Sequence, residues 1–239
     1  MSISQPSFRL STGRSLEEAS LDDVVGIRSA VAASAARSLT KRALDIVGSL
    51  CGLILLSPVL ALVAILIRLD SRGPILFRQK RTGLNATEFS CLKFRTMVLD
   101  AEARLRDLES KNESAGGVLF KIKNDPRITR LGRFLRRSSL DELPQLWNVL
   151  VGQMSLVGPR PLQLRDSQRL EALSPGSYTR RLSVMPGVTG PWQVGGRSDV
   201  DSLGMLRLDL DYVENWTLVT DLGILVKTVG VVLYRKGAC

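Results

Sequence analysis

ALDIVGSLCGLILLSPVLALVAILI (residues 43–67) is the only long apolar stretch in the 239-residue chain, and its reading decides how the rest is organised. As one straight helix it would measure about 37 Å, more than the roughly 30 Å hydrocarbon core of a bilayer. Pro58 interrupts it, because proline removes a backbone donor and bends a helix. Ser57 can return a hydrogen bond to a carbonyl of the preceding turn, which deepens such a bend. Both flanks are basic: Arg37, Lys41 and Arg42 before, and Arg68, Arg72, Arg78, Lys80 and Arg81 after. Basic clusters favour the cytoplasmic side of a membrane. Two of them predict a segment that enters and leaves one leaflet, a re-entrant helix-break-helix over residues 39–72. A kinked spanning helix is the alternative. Split at Pro58, the arms reach about 22 Å and 15 Å, each too short to cross. The apolar run starts too late and is too long for a cleaved signal peptide.

Outward from this segment the composition narrows the chemistry. Lys and Arg total 33 against 23 acids, a net charge of +10, which suits anionic partners such as phosphates or lipid head groups. Nucleic acid is disfavoured, since aromatics are only 5% and no base-stacking run occurs. The three cysteines include no C-x-x-C pair, so neither a zinc site nor a disulfide framework is legible. No histidine is present, which excludes imidazole bases and Ser-His or Cys-His nucleophile pairs. Carboxylates must carry any catalysis, helped by Lys, Arg or an oxygen-bound metal. Residues 1–38 are polar and Ser/Ala-rich and read as a disordered tail. Residues 73–239 read as one compact cytoplasmic domain of α+β class, mainly helical with a short β-hairpin.

Within that domain, residues 75–79 and 89–95 read as two strands around a turn at Gly83. Residues 98–112 alternate charges at helical spacing, and residues 124–127 (NDPR) form a turn. Residues 128–137 make a short basic helix leading into SSLDELPQ (residues 138–145). In isolation, Ser139 and Glu142 suit a capping box, with Asp141 favouring a helix start. That position lowers a carboxylate pKa, so Asp141 is expected ionised, suited to act as nucleophile or metal ligand. Further on, GPRP (residues 158–161) stiffens the backbone around Arg160. The glycine-rich loop at residues 186–197 ends at Arg197. Residues 199–216 and 218–234 read as helices, the second with a wide apolar face suited to core packing or to a membrane surface.

Taken together, the break at Ser57-Pro58, KFRTM (93–97), SLDELPQ (139–145), GPRP (158–161) and the 192–197 loop resemble, in order, the bacterial sugar transferases. These are small monotopic phosphoglycosyl transferases, and the resemblance spans residues 39–239. It implies transfer of a sugar 1-phosphate from a UDP-sugar to polyprenyl (undecaprenyl) phosphate, with release of UMP. It also implies magnesium as cofactor, a homodimer, and a place on the cytoplasmic face of the bacterial inner membrane. By resemblance, Asp141 is the nucleophile of a two-step mechanism and Glu142 its partner acid and metal ligand. Lys93, Arg136, Arg160 and Arg197 match basic positions around the phosphates, and Ser57-Pro58 matches the re-entrant break. The short architecture resembles exopolysaccharide-type members, for which glucose or galactose is the expected sugar. Ala86 stands where glycine is usual, and Gly195 where Ser or Asn is common. The rival is a non-catalytic membrane scaffold or anionic-lipid-binding module in which the acidic pair only caps a helix.

Overall fold

The structure is a computed structural model that describes residues 21–108, 122, 124–195 and 200–234, apart from the side chains of residues 21–37, 106, 107 and 232–234. The chain divides into two units, Met1–Leu44 and Asp45–Cys239. Helix α1 runs Leu21–Leu55. Residues 21–38 are therefore helical rather than a disordered tail, in keeping with the strong helix propensity of their alanines. Residues 1–20 lie outside the described set.

The apolar segment folds as two helices, with α2 at Ser57–Asp70 beginning on Pro58 in its first turn. Ser57 Oγ donates to the Ile54 carbonyl at 2.8 Å, the back-bond expected from the sequence. The Ser38–Leu55 stretch and α2 are bent by 61°, and no single described helix is long and apolar enough to cross a membrane. Asp45, the one charge in the apolar stretch, is buried and fixes α1 to the rest of its unit. Its Oδ1 accepts from Leu156 N at 2.8 Å and Ser155 Oγ at 3.0 Å. Gly48 and Gly52 let α1 approach closely, since a Cβ on either would meet Leu156 or Leu146 at 2.6 or 3.0 Å.

Beyond the hairpin, β1 (Leu76–Thr82) and β2 (Glu88–Phe94) pair antiparallel, with Phe77 opposite Lys93 and Arg81 opposite Phe89. Strand β1 extends three residues further into the turn than the sequence suggested, and β2 one. Their connection places Asn85 and Ala86 at φ of 50° and 62°, which explains why glycine would suit position 86. Residues 98–104 form turns, and only Leu105–Leu108 (α3) is helical; the remainder of the predicted 98–112 helix lies outside the described residues. Arg127 Nη1 takes the Ala101 carbonyl that a continuing helix would need, and Leu105 N bonds Glu102 O instead. The 124–127 turn is also more than a turn: Arg127 Nη2 and Asp125 Oδ2 form a buried ion pair at 2.6 Å. Burial raises the Asp125 pKa, but the Arg127 hydrogen bonds and charge outweigh it and hold the carboxyl low.

Helix α4 (Arg130–Arg137) is capped by Thr129 and pressed against the Thr96 backbone, where Gly132 alone leaves room. A 3-10 turn, Leu140–Glu142, then leads into α5 (Gln145–Leu150). A second sheet pairs β3 (Ser155–Val157) and β4 (Gly187–Thr189) in parallel across α6 (Leu164–Leu173) and α7 (Pro175–Arg181). The sequence reading had no parallel pair, because three-residue strands carry no alternation to read. Helices α8 (Pro191–Gly195), α9 (Ser202–Glu214) and α10 (Leu218–Tyr234) complete the chain.

The core lies in four apolar clusters. One joins Val63 and Ile67 of α2 to Phe94 and Leu135, so α2 packs on the strand and helix that frame the site. Asn148, buried on α5, substitutes for a missing strand along β2: its Oδ1 accepts from Leu92 N at 2.9 Å and its Nδ2 donates to Ser90 O at 2.8 Å. Replacing it with alanine leaves a buried donor and acceptor unpaired. Asn148→Ala is expected to lose about 2–4 kcal/mol in detergent unfolding measurements; a loss below about 0.5 kcal/mol would contradict this role.

Candidate active site

The site is assembled from three regions far apart in sequence: the β1–β2 pair, the end of α4 with the turn after it, and the loop after β3. Lys93 comes from β2, on the same strand face as Phe89 and Cys91, and Arg81 joins that face from β1. Asp141 and Glu142 come from the 3-10 turn, Arg136 from the end of α4, and Arg160 from the loop after β3. Glu142 is the hub. Its Oε1 accepts from Lys93 Nζ at 2.7 Å and from Arg160 Nη2 at 2.6 Å, and its Oε2 from Arg160 Nη1 at 3.3 Å.

The capping box is therefore not formed. Ser139 sits in the left-handed region at φ 57°, makes no side-chain cap bond, and starts a single 3-10 turn. Glu142 turns its carboxylate to the two cations rather than back to Ser139. Asp141, only 7% exposed, accepts no hydrogen bond among the described residues. It lies in the field of Lys93, Arg136 and Arg160.

The same surroundings drive the two neighbouring acids apart. Burial pushes the Asp141 carboxyl up, and Glu142 adds to this, so it ends above the usual range despite the cations nearby. Burial also pushes Glu142 up, but Arg160 and Lys93, by charge and hydrogen bonds, hold it well below. Asp141 is thus not lowered by a helix start as expected, since a three-residue turn has little dipole and desolvation prevails. Burial lowers Lys93 and Arg136, whereas Glu142 outweighs burial at Arg160 and raises it.

Two supports fix Arg160. Arg181 Nη2 donates to the Arg160 carbonyl at 2.6 Å, and Arg181 Nε is paired with Asp209 Oδ2 at 2.7 Å in the interior. Beneath the loop, Gly187 and Gly190 lie so close that a Cβ on either would fall 2.6 or 2.2 Å from the Gly158 carbonyl. Arg136 is steered by Thr96, whose hydroxyl accepts from Arg136 Nε at 2.9 Å. Arg81 donates to the Pro161 carbonyl and to Gln79 Oε1. The sequence reading missed Arg81, although period two carried across the hairpin places it on the face of Lys93. Arg181 and Asp209 gave no local signal. Arg197 lies outside the described residues.

Lys93, Arg136, Arg160 and Arg81 thus outnumber the two carboxylates, which leaves the site ready for anionic ligands. Among the described residues no group of three or more His, Cys, Asp or Glu could hold a metal by itself. Asp141 and Glu142 nevertheless fit magnesium, which binds one or two carboxylates when substrate phosphates supply further oxygens. Glu142 Oε2, with one long 3.3 Å bond, retains lone pairs for this.

A family model described as bacterial sugar transferase matches residues 36–235, and the chain belongs to that family. It is 44% identical over 201 residues to the UDP-galactose-lipid carrier transferase of Erwinia amylovora, covering 83% of this chain and 41% of that one. It is 46% identical over 201 residues to the undecaprenyl-phosphate galactose phosphotransferase of Salmonella typhimurium, covering 83% and 41%. It is 39% identical over 203 residues to the exopolysaccharide production protein ExoY of Sinorhizobium fredii, covering 84% and 88%. The chain thus spans about two fifths of the length of the first two relatives.

A raised folded-state pKa contributes stability below the unfolded pKa and loses it as pH rises through the folded value. Charged Asp141 therefore burdens the fold at neutral pH. Asp141→Asn is expected to melt at or above the wild-type temperature at pH 7, with the gain shrinking toward acid pH; a lower melting temperature at pH 7 would contradict this.

Proposed function

We propose that the protein transfers a hexose 1-phosphate from a UDP-sugar to polyprenyl phosphate, releasing UMP, in the first membrane step of exopolysaccharide assembly. The observation that carries this reading is the division between adjacent acids: Glu142 is clamped by two cations, while Asp141 stands beside it with its oxygens free among the described residues. The names of these relatives support the lipid-phosphate acceptor and favour galactose as the sugar.

The chemistry follows from charge. Donor diphosphate and lipid phosphate repel each other, and a carboxylate nucleophile divides their reaction into two displacements. An Asp141 oxygen attacks the phosphorus attached to the sugar, and the bond to the bridging oxygen breaks, so UMP leaves with the electron pair. A polyprenyl phosphate oxygen then attacks the same phosphorus, freeing Asp141 and forming the lipid diphosphosugar. Lys93, Arg136 and Arg160 neutralise the phosphoryl oxygens, and Arg197 is assigned the same task by resemblance. Magnesium, held by Glu142 with donor phosphate oxygens, would supply further charge neutralisation. The burial that raises the Asp141 pKa leaves the nucleophile already largely stripped of water, and its charged form requires a pH above that raised value.

The acceptor is a lipid, and the apolar hairpin suits a re-entrant anchor that brings the site to the membrane surface. Its outer side exposes Ile54, Leu55, Leu62, Ile65 and Leu69, while Val63 and Ile67 face the core. Val219, Leu222, Val226 and Val229 give α10 a second exposed apolar face, suited to the head-group level. A homodimer is consistent with this arrangement but is required by none of it.

UMP release from UDP-glucose and UDP-galactose with polyprenyl phosphate tests the activity. Asp141→Asn is expected to lower it at least about 10³-fold, and EDTA to abolish it until magnesium is restored. Wild-type rates in the variant or under full chelation would contradict the roles of Asp141 and the metal respectively.

A further inference from the structure

Helix α4 has two unlike faces. Gly132, Leu135 and Arg136 turn inward, against Thr96, into the cluster with Val63, Ile67 and Phe94, and toward Asp141. Arg130, Arg133 and Arg137 occupy the opposite side at spacings of three and four residues, an arc of about 60°, and all three are exposed. Phe134, 51% exposed, lies among them. With Ser138 these residues line an open recess of about 210 Å³.

None of the three guanidinium groups has an ion-pair or hydrogen-bond partner among the described residues. Like charges three and four apart disfavour a helix in water, so the array gains from an anionic surface. Its position narrows the choice of that surface. The inner face of α4 meets Val63 and Ile67, in the last two turns of α2, where the apolar arm ends and Arg68 opens the basic flank. That is the depth at which an arm leaving a bilayer meets phosphodiesters, and an exposed aromatic among basic residues suits it.

We propose that Arg130, Arg133 and Arg137, grouped around Phe134, bind the head-group phosphates of anionic phospholipids and hold the domain against the membrane. The inference rests on the membrane reading above but is separable from it. The bulk lipid, not the reacting lipid phosphate, is the ligand. The arginine that serves the site, Arg136, points the other way.

The test uses the full chain transferred from detergent to vesicles free of polyprenyl phosphate. One set is phosphatidylcholine alone, and the other includes a minor share of phosphatidylglycerol. Flotation should show a salt-sensitive preference of wild type for the anionic vesicles. The triple variant Arg130→Gln, Arg133→Gln, Arg137→Gln should lose about fivefold of that preference per charge removed, while binding phosphatidylcholine unchanged and releasing UMP in micelles at the wild-type rate. A control removing the exposed Arg169, Arg180 and Arg207 should keep the preference. If the first triple retains the preference, or the control loses as much, the inference is overturned. Equal wild-type binding to both vesicles defeats this proposal alone; binding to neither defeats the membrane reading with it.

Discussion

The clamp of Lys93 and Arg160 on Glu142 is the interaction on which the rest of the site depends. It ties β2, the 3-10 turn and the loop after β3 at one carboxylate, and each segment has a separate anchor behind it. Asn148 stitches β2 to α5, Thr96 and Gly132 fit α4 to the strand end, and Arg181 with Asp209 holds the Arg160 backbone. Removing one member would strand charge in a largely desolvated setting, which costs far more than a surface ion pair is worth. The clamp also decides the roles of the two acids. Glu142 is stabilised as an anion and oriented, and Asp141, one residue earlier, inherits the same cations without their hydrogen bonds.

The chain thereby obtains two differently tuned groups without any histidine. Burial acts on both carboxyls in the same direction, and the charges and direct hydrogen bonds of Arg160 and Lys93 on Glu142 separate them. Environments that drive neighbouring groups apart are a general way of assigning distinct tasks within one site. Helix α2 takes part in this arrangement. Val63 and Ile67 of α2 pack on Phe94, next to Lys93, and on Leu135, next to Arg136. A shift of α2 would therefore reach the cations around Asp141 through direct packing.

Much of this was legible in the sequence where chemistry is local. Ser57 and Pro58 mark the helix break, period two finds the hairpin, and the glycine and proline around Arg160 mark a fixed loop. The helices α4, α9 and α10 are recovered to within a few residues by their charge and apolar spacing. What local reading missed depends on distant partners. Ser139 looks like a cap until Lys93 and Arg160 claim Glu142. The start of the 98–112 stretch looks helical until Arg127 takes the Ala101 carbonyl. The Asp141 pKa depends on burial that no neighbouring residue in the sequence signals, and the Arg181–Asp209 pair spans 28 residues without periodicity.

The central claim is that Asp141, and not its clamped neighbour, takes up the phosphosugar. Its most direct measurement is peptide mass spectrometry after brief incubation with UDP-sugar in the absence of lipid acceptor. The account predicts one hexose phosphate on Asp141, released when polyprenyl phosphate is added. A hexose phosphate on Glu142, or a protein that turns over while never carrying the adduct, would contradict it.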